Sequence, residues 1–394
     1  MRITSRLAVL ATVVTTGLGL AAVPAAASAV PHATFTRSWH LQSPPNPSGS
    51  IVSELTGVSC SALSACLAVG SEETATSLNM AFAESWDGSS WTLLNVPNAP
   101  KTSLNAVDCL SATNCVVVGD AVPSNQNDTV TLAEVWNGST WTTQSTLTPA
   151  RAARASLTGV ACRSATQCMA VGWFSRSQPG NRLLLAEHWT GQHWRIRATP
   201  GPSGAASSQF NGVSCASGLA CIAVGKVLAP AGAMLAESWN GTRWVLLSTP
   251  DPAGGSQSNL QGVSCTADTA CTATGDYFNG SAVLSLAEVW NGASWAQQST
   301  PNPAGAVSTG LGAVSCPTAR QCTAVGGATG QTRTRPVAEQ WNGSAWRLQY
   351  PGQPSGDTES NLMGVSCPGH ADCTAVGGSG GRQGNLVPLA AQYF

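Results

Sequence analysis

The chain has 394 residues, a formal net charge of −1 and only 9% charged residues. That balance excludes a general nucleic-acid binder, whose affinity comes from neutralising phosphates with clustered Lys and Arg. Gly, Ala, Ser, Thr and Pro abound, yet regularly placed Trp, Val and Leu exclude a disordered chain and the length is ample for a core.

Residues 1–29 read as a secretory signal peptide. Arg2 and Arg6 form a charged start, Leu7 to Leu20 is mostly apolar, and Ala27-Ser28-Ala29 is a small-x-small cleavage signal. The apolar run is too short and too interrupted for a membrane span, and no second one follows, so membrane insertion is not expected. The expected location is extracellular. Without Arg2 and Arg6, 16 basic residues face 19 acidic ones, a net of −3.

The remaining residues, 30–394, read as one domain. It opens with Trp39-His40-Leu41-Gln42-Ser43 and a Pro-rich stretch, matching Trp91-Thr92-Leu93-Leu94 and Trp244-Val245-Leu246-Leu247 further on. Then come fourteen Cys in pairs with five residues between. The pairs are Cys60 and Cys66, Cys109 and Cys115, Cys162 and Cys168, Cys215 and Cys221, Cys265 and Cys271, Cys316 and Cys322, and Cys367 and Cys373. First members are 49, 53, 53, 50, 51 and 51 residues apart, a repeat period typical of propellers.

Each unit carries four strand patterns, a to d. Strand a ends in the first Cys, as in Leu260 to Cys265, and strand b runs from the second, as in Cys322 to Gly326. Strand c is the alternating L-A-E-x-W, as in Leu286 to Trp290, and strand d begins at the next Trp. Between Trp136 and Trp141, Asn137-Gly138 predicts a two-residue hairpin that puts Ser139 opposite Trp136 and Trp141 opposite Glu134. Glu134 and both Trp would share one face, with the indoles in the core.

The last unit, 362–394, stops at Phe394 without a d strand, and the orphan strand at 38–43 is the missing piece. The expected fold is therefore all-β: a seven-bladed β-propeller with four antiparallel strands per blade, closed by the N-terminal d strand. Closure hides two sheet edges that an open solenoid would leave exposed. Identical spacing around each a–b loop predicts seven local disulfides, each worth about 2 kcal/mol from loop closure. C-x5-C is not usual zinc spacing, and the five His do not track the pairs, so no metal or other cofactor is expected.

Function is sought where the repeats vary. The a–b and c–d loops keep constant length and share one face of the disc, whereas the b–c and d–a loops vary on the other, which is the candidate binding face. The third unit departs most from the pattern. It has Arg151, Arg154, Arg163, Arg176, Arg182, Arg195 and Arg197 against one acid, Glu187, and Trp173 is the one Trp outside the repeat positions. Trp173, Phe174, Arg176 and Arg182 are the candidate binding residues, since an aromatic beside Arg suits a sugar ring, an acidic polysaccharide or a protein hot spot. The alternative is that the aromatics fold over the blade and the Arg residues are merely solvated.

Six Glu recur at one position, Glu84, Glu134, Glu187, Glu237, Glu288 and Glu339, with Ala391 in the last unit. They are expected to be structural acceptors rather than six ligand sites. The acids outside the repeat, Glu54, Glu72, Glu73, Asp120, Asp128, Asp276, Asp357 and Glu359, are scattered over the units, and no spacing singles out a catalytic pair. No G-x-S-x-G, H-E-x-x-H or phosphate loop occurs.

The Gly-terminated b strand, with the doublets Gly326-Gly327 and Gly377-Gly378, and the following Trp resemble kelch-type propellers of the galactose-oxidase-like class, although two units alone keep the doublet. The W-N-G-x-x-W turn is similar to the Asp-box hairpin of sialidase-like propellers, with a different spacing. Over nearly all of the chain after the leader, the G-V-S-C-x5-C-x-A-V-G and L-A-E-x-W-N-G-x-x-W repeats resemble a family of uncharacterised secreted bacterial β-propellers, which implies the fold and no particular chemistry. The expected function is a monomeric, non-catalytic module that recognises extracellular polysaccharide or protein through the b–c and d–a loops. The alternative is a carbohydrate-active enzyme, a glycoside hydrolase or lyase, with its site near the channel mouth.

Overall fold

Short runs of β-branched and small residues, punctuated by Gly, Asn and Pro, leave little choice but strands. The computed structural model describes residues 37–76, 79–97, 101–123, 128–217, 220–229, 232–369, 372–381 and 385–394, and among them there is no helix. The expected leader, 1–29, lies outside the described residues.

The first four-stranded sheet comprises Ser50–Ala62, Ala65–Thr74, Met80–Trp86 and Trp91–Leu94, antiparallel and in chain order. The strands that lie within 102–144, 154–196 and 207–247 form three more such sheets. From Ser256 on, the same pattern continues inside one twelve-stranded sheet, whose sets are linked by the single parallel bridges Val283–Ser308 and Thr334–Glu359. The strands Glu359–Gly369, Asp372–Gly380 and Leu386–Tyr393 are completed by Trp39–Gln42, with Trp39 opposite Tyr393 and Leu41 opposite Ala391.

Because strand b is buried on both sides, its C-x-A-V-G run is apolar in Cys66–Gly70, and in the last three units only Thr interrupts it, as at Thr272, Thr323 and Thr374. The cores lie between successive sheets. Leu67, Val69 and Ala83 of the first pack with Leu104, Val117 and Trp136 of the second, while Leu55, Phe82 and Trp86 pack against Val376 and Ala390 of the last. The last set thus packs on the first, and the succession closes on itself.

Two sets of hydrogen bonds run around this circle. In six of the seven units, the residue before the first Cys accepts the N–H of the first Cys of the next unit. Ser59 accepts from Cys109 at 2.9 Å, Ser214 from Cys265 at 3.0 Å, and Ser366 from Cys60 at 2.9 Å. Asp108 does the same for Cys162 at 2.6 Å; burial pushes its carboxyl up to about 6, against the lowering effect of the bonds it accepts. Further out, the d-strand indole donates to a Gln three residues past the Trp of the preceding d strand. Examples are Trp91 to Gln42 at 2.8 Å, Trp194 to Gln144 at 2.9 Å and Trp346 to Gln298 at 2.8 Å.

Strand a carries a bulge at Thr56, between Leu55 and Gly57, and this brings the Glu54 carbonyl against strand b. A Cβ on Gly70 would lie 2.0 Å from that oxygen, which is why the A-V-G run must end in glycine.

All fourteen Cys are bonded in the expected partnership, each disulfide crossing one a–b hairpin. Cys60 joins Cys66, Cys109 joins Cys115, Cys162 joins Cys168 and Cys215 joins Cys221. Cys265 joins Cys271, Cys316 joins Cys322 and Cys367 joins Cys373. The Cα–Cα distances of 3.9–4.1 Å are those of residues placed directly opposite each other, as Cys115 is to Cys109 and Cys271 is to Cys265. The second members, among them Cys115, Cys168, Cys221, Cys271 and Cys373, start strand b and are buried in the cores between sheets, whereas the first members end strand a.

The c–d turn corrects the expected register. Trp136 stands opposite Trp141, and Glu134 opposite Thr143, so the connection has four residues rather than two. The physical reason is an Asx turn: the Asn137 side-chain oxygen accepts the Ser139 and Thr140 N–H groups at 3.0 and 2.8 Å, while Gly138 takes φ 93°. Directly opposed residues share a face, so the two indoles still meet, 5.0 Å apart between centroids. Gly138 rests on Thr113 of the a–b loop, so these two kinds of loop share one face.

Candidate functional site

Strand a of every set lines one cavity of about 500 Å³. The valine two residues before each first Cys, Val58 in the first unit, forms its apolar part. Toward the b–c and d–a loops the lining becomes polar. The bulge residue contributes there, as Thr56, Asn105, Asn211 and Gln261, and so does the residue just after the A-V-G glycine, as Asp120 and Trp173. In chain order this last position reads Ser71, Asp120, Trp173, Lys226, Asp276, Gly327 and Gly378. The repeat fixes the place, and the residue type there is free to vary.

These side chains are tied to one another. Ser156 donates to Asp120 at 2.6 Å, and the Asn105 amide donates to Asp120 at 3.3 Å and to the Leu157 carbonyl at 2.8 Å. Arg182 donates to Gln209; Gln209 donates to Asn211 at 2.6 Å, and Asn211 to Asn259 at 2.9 Å. Burial raises the carboxyls of Asp120 and Asp276 above their ordinary range, opposed for Asp120 by Ser156, Asn105 and Arg154 and for Asp276 by Lys226, Asn259 and Gln261.

Trp173 lies inside the strand Gln167–Ser175, not in the loop beyond it, and is only 9% exposed. The Arg182 guanidinium sits over its ring, 4.0 Å from the centroid, with Arg154 at 5.7 Å. Burial, and then the like charge of Arg154, lower the pKa of Arg182. Phe174 points elsewhere: it is half-buried and packs against the core between the second and third sets. Arg176 is exposed in the following bend and does not line the cavity. Of the four candidate residues, the structure brings Trp173 and Arg182 together at the mouth and leaves Phe174 and Arg176 apart from it.

Sequence reasoning missed the amide belt of Asn105, Gln209, Asn211 and Asn259. For Asn105 and Asn211 a signal existed, the bulge position four residues before the first Cys; Gln209 and Asn259 join them only through tertiary hydrogen bonds. The recurrent Glu are a different matter. Glu84, Glu187, Glu237, Glu288 and Glu339 are fully buried, and Glu134 nearly so. Glu187 accepts the Leu147 N–H at 3.0 Å and Glu237 the Gly201 N–H at 2.9 Å, each from the preceding d–a segment. Burial pushes these carboxyls up to about 7 or 8, and nothing at the mouth reaches them.

No family model matches the sequence, and no curated protein matches it. Solved structures do match in shape. "YCF48 from Cyanidioschyzon merolae" is similar with a TM-score of 0.54 at 12% identity, covering 90% of this chain and 98% of that one. "YCF48 bound to D1 peptide" gives 0.52 at 12% identity, covering 90% and 94%. An ulvan lyase of polysaccharide lyase family PL25, bound to -[GlcA(1-4)Rha3S]-, gives 0.51 at 8% identity, covering 87% and 94%. The fold is a β-propeller. At such identities the likeness extends to the fold alone.

Proposed function

We propose that the chain is an exported, monomeric, seven-bladed propeller that binds an extracellular polysaccharide or protein, without catalysis or cofactor, at the b–c and d–a mouth of its cavity. Seven sets of four strands and the closing pair Trp39–Tyr393 support the blade count, and seven disulfides suit an oxidising compartment. One observation carries the binding site: the Arg182 guanidinium lies over the Trp173 ring, 4.0 Å from its centroid, at a concave polar mouth. Propellers of this shape include one bound to a peptide and one bound to a uronate-containing sugar.

A polysaccharide, glycan and protein binding screen with wild type and Trp173→Ala tests this. Loss of a wild-type ligand in Trp173→Ala is expected; equal binding by both proteins would remove the site. The enzyme alternative has its own support in Asp120 and Asp276, two carboxyls raised by burial at one mouth. New reducing or unsaturated ends released by wild type and abolished in Asp276→Asn would favour that alternative.

A further inference from the structure

Building on the mouth as a binding site, we propose that its ligand is a uronate oligosaccharide whose carboxylate is received by the Arg182 guanidinium. Trp173 is a pedestal rather than a sugar platform, because Arg182 covers its ring at 4.0 Å and little of the indole is exposed. The ring below and Gln209 beside it hold the guanidinium in place. Gln209 takes a hydrogen bond from Nη1, and the rest of the fork is available for the two-pronged geometry that a carboxylate accepts. Arg154 adds a second positive charge beside it, shared with Asp120. Lys226, at the same repeat position in the next unit, adds a third, shared with Asp276.

Across the mouth the side chains disappear. Gly310, Gly312 and Gly327 leave a hollow of about 470 Å³, bordered by Asp276, Thr329, Thr334 and Asn361. This hollow and the cavity share Gln261, Gly312 and Met363, so a chain anchored at Arg182 has room to continue over the glycines. The border offers amides, hydroxyls and a carboxylate, which pair with sugar hydroxyls. It offers few apolar slots of the kind that peptide side chains need. An anionic, hydroxyl-rich chain fits both halves.

The test is calorimetric titration of the full chain at low salt with a galacturonate trimer, a neutral galactose trimer and a glutamate hexapeptide. The uronate is expected to bind and to weaken with salt. Arg182→Gln should lose tenfold or more in affinity, and Arg182→Lys less. Gly312→Phe, whose added Cβ meets nothing closer than 3.7 Å, should keep its melting temperature and also lose affinity. If both sugars bind alike, respond to Gly312→Phe and ignore Arg182→Gln, the mouth stands and the anion assignment falls. Binding of the peptide with no sugar bound overturns the ligand class. No binding of any probe overturns the inference, and binding unchanged in both Gly312→Phe and Trp173→Ala overturns the mouth as well.

Discussion

The indole N–H of Trp39 donates to the side chain of Gln349 at 2.7 Å, joining two residues 310 positions apart in the chain. The same bond recurs around the propeller wherever a Gln stands three residues after a d-strand Trp. Where Leu94, Arg197 or Leu247 stands there instead, the next indole, Trp141, Trp244 or Trp295, is buried without a partner. An unsatisfied buried donor costs about 1–3 kcal/mol. Gln349→Leu should therefore lower stability by about 1–2 kcal/mol. Leu94→Gln and Leu247→Gln should each raise it by up to about 1 kcal/mol, less whatever packing the leucine contributed. Urea melts of the three variants check this, and a stabilised Gln349→Leu would contradict it.

The inner circle of hydrogen bonds has one gap. Ala161 stands where its counterparts are Ser or Asp, so the Cys215 N–H lacks the acceptor that Cys265 finds in Ser214. Ala161→Ser is expected to add about 0.5–1.5 kcal/mol. Thermal melting measures it. No gain, with the remaining serines costly to remove, would mean that the Cys215 N–H already has an equivalent partner.

These two rules also mark how far the sequence could be read. Strands, repeat count, disulfide partners and the joining of Trp39 to the last unit follow from spacing alone, because the repeat multiplies each weak local signal. The c–d register did not, since an Asx turn and a two-residue hairpin both begin with Asn-Gly. The site was half legible. Trp173 stood out by breaking the pattern, yet its burial under Arg182 depends on tertiary packing, and so does the separation of Phe174 and Arg176 from the mouth. The amide belt was hidden because its members come from three different units.

Stability should fall as pH rises. The six recurrent Glu have folded-state pKa values raised to about 7 or 8 by burial, from an ordinary value of 4.5. Protons bound preferentially by the folded state stabilise it fully below about pH 4.5, and this contribution is lost as pH climbs through about 7 to 8. Within that window each carboxyl costs about 1.4 kcal/mol per pH unit. The melting temperature is expected to be higher at about pH 5 than at about pH 8.5. Glu84→Gln, at a site where both oxygens lack partners, should narrow the gap by stabilising the protein at the alkaline end. A flat or rising profile would contradict this.

The last set packs on the first through Leu55, Phe82, Val376 and Ala390, and the strand at Trp39–Gln42 fastens the outer edge of that last set. The most direct test is the melting of a chain that begins after residue 45, compared with the same chain carrying residues 37–45. The deletion removes the antiparallel partner of Leu386–Tyr393, the Trp39–Tyr393 ring contact at 5.4 Å and the acceptor for Trp91. The closed propeller predicts one cooperative transition shifted down by about 10 °C or more, as expected when several kcal/mol are lost. An unchanged melting temperature would contradict a circle fastened by its N-terminal strand.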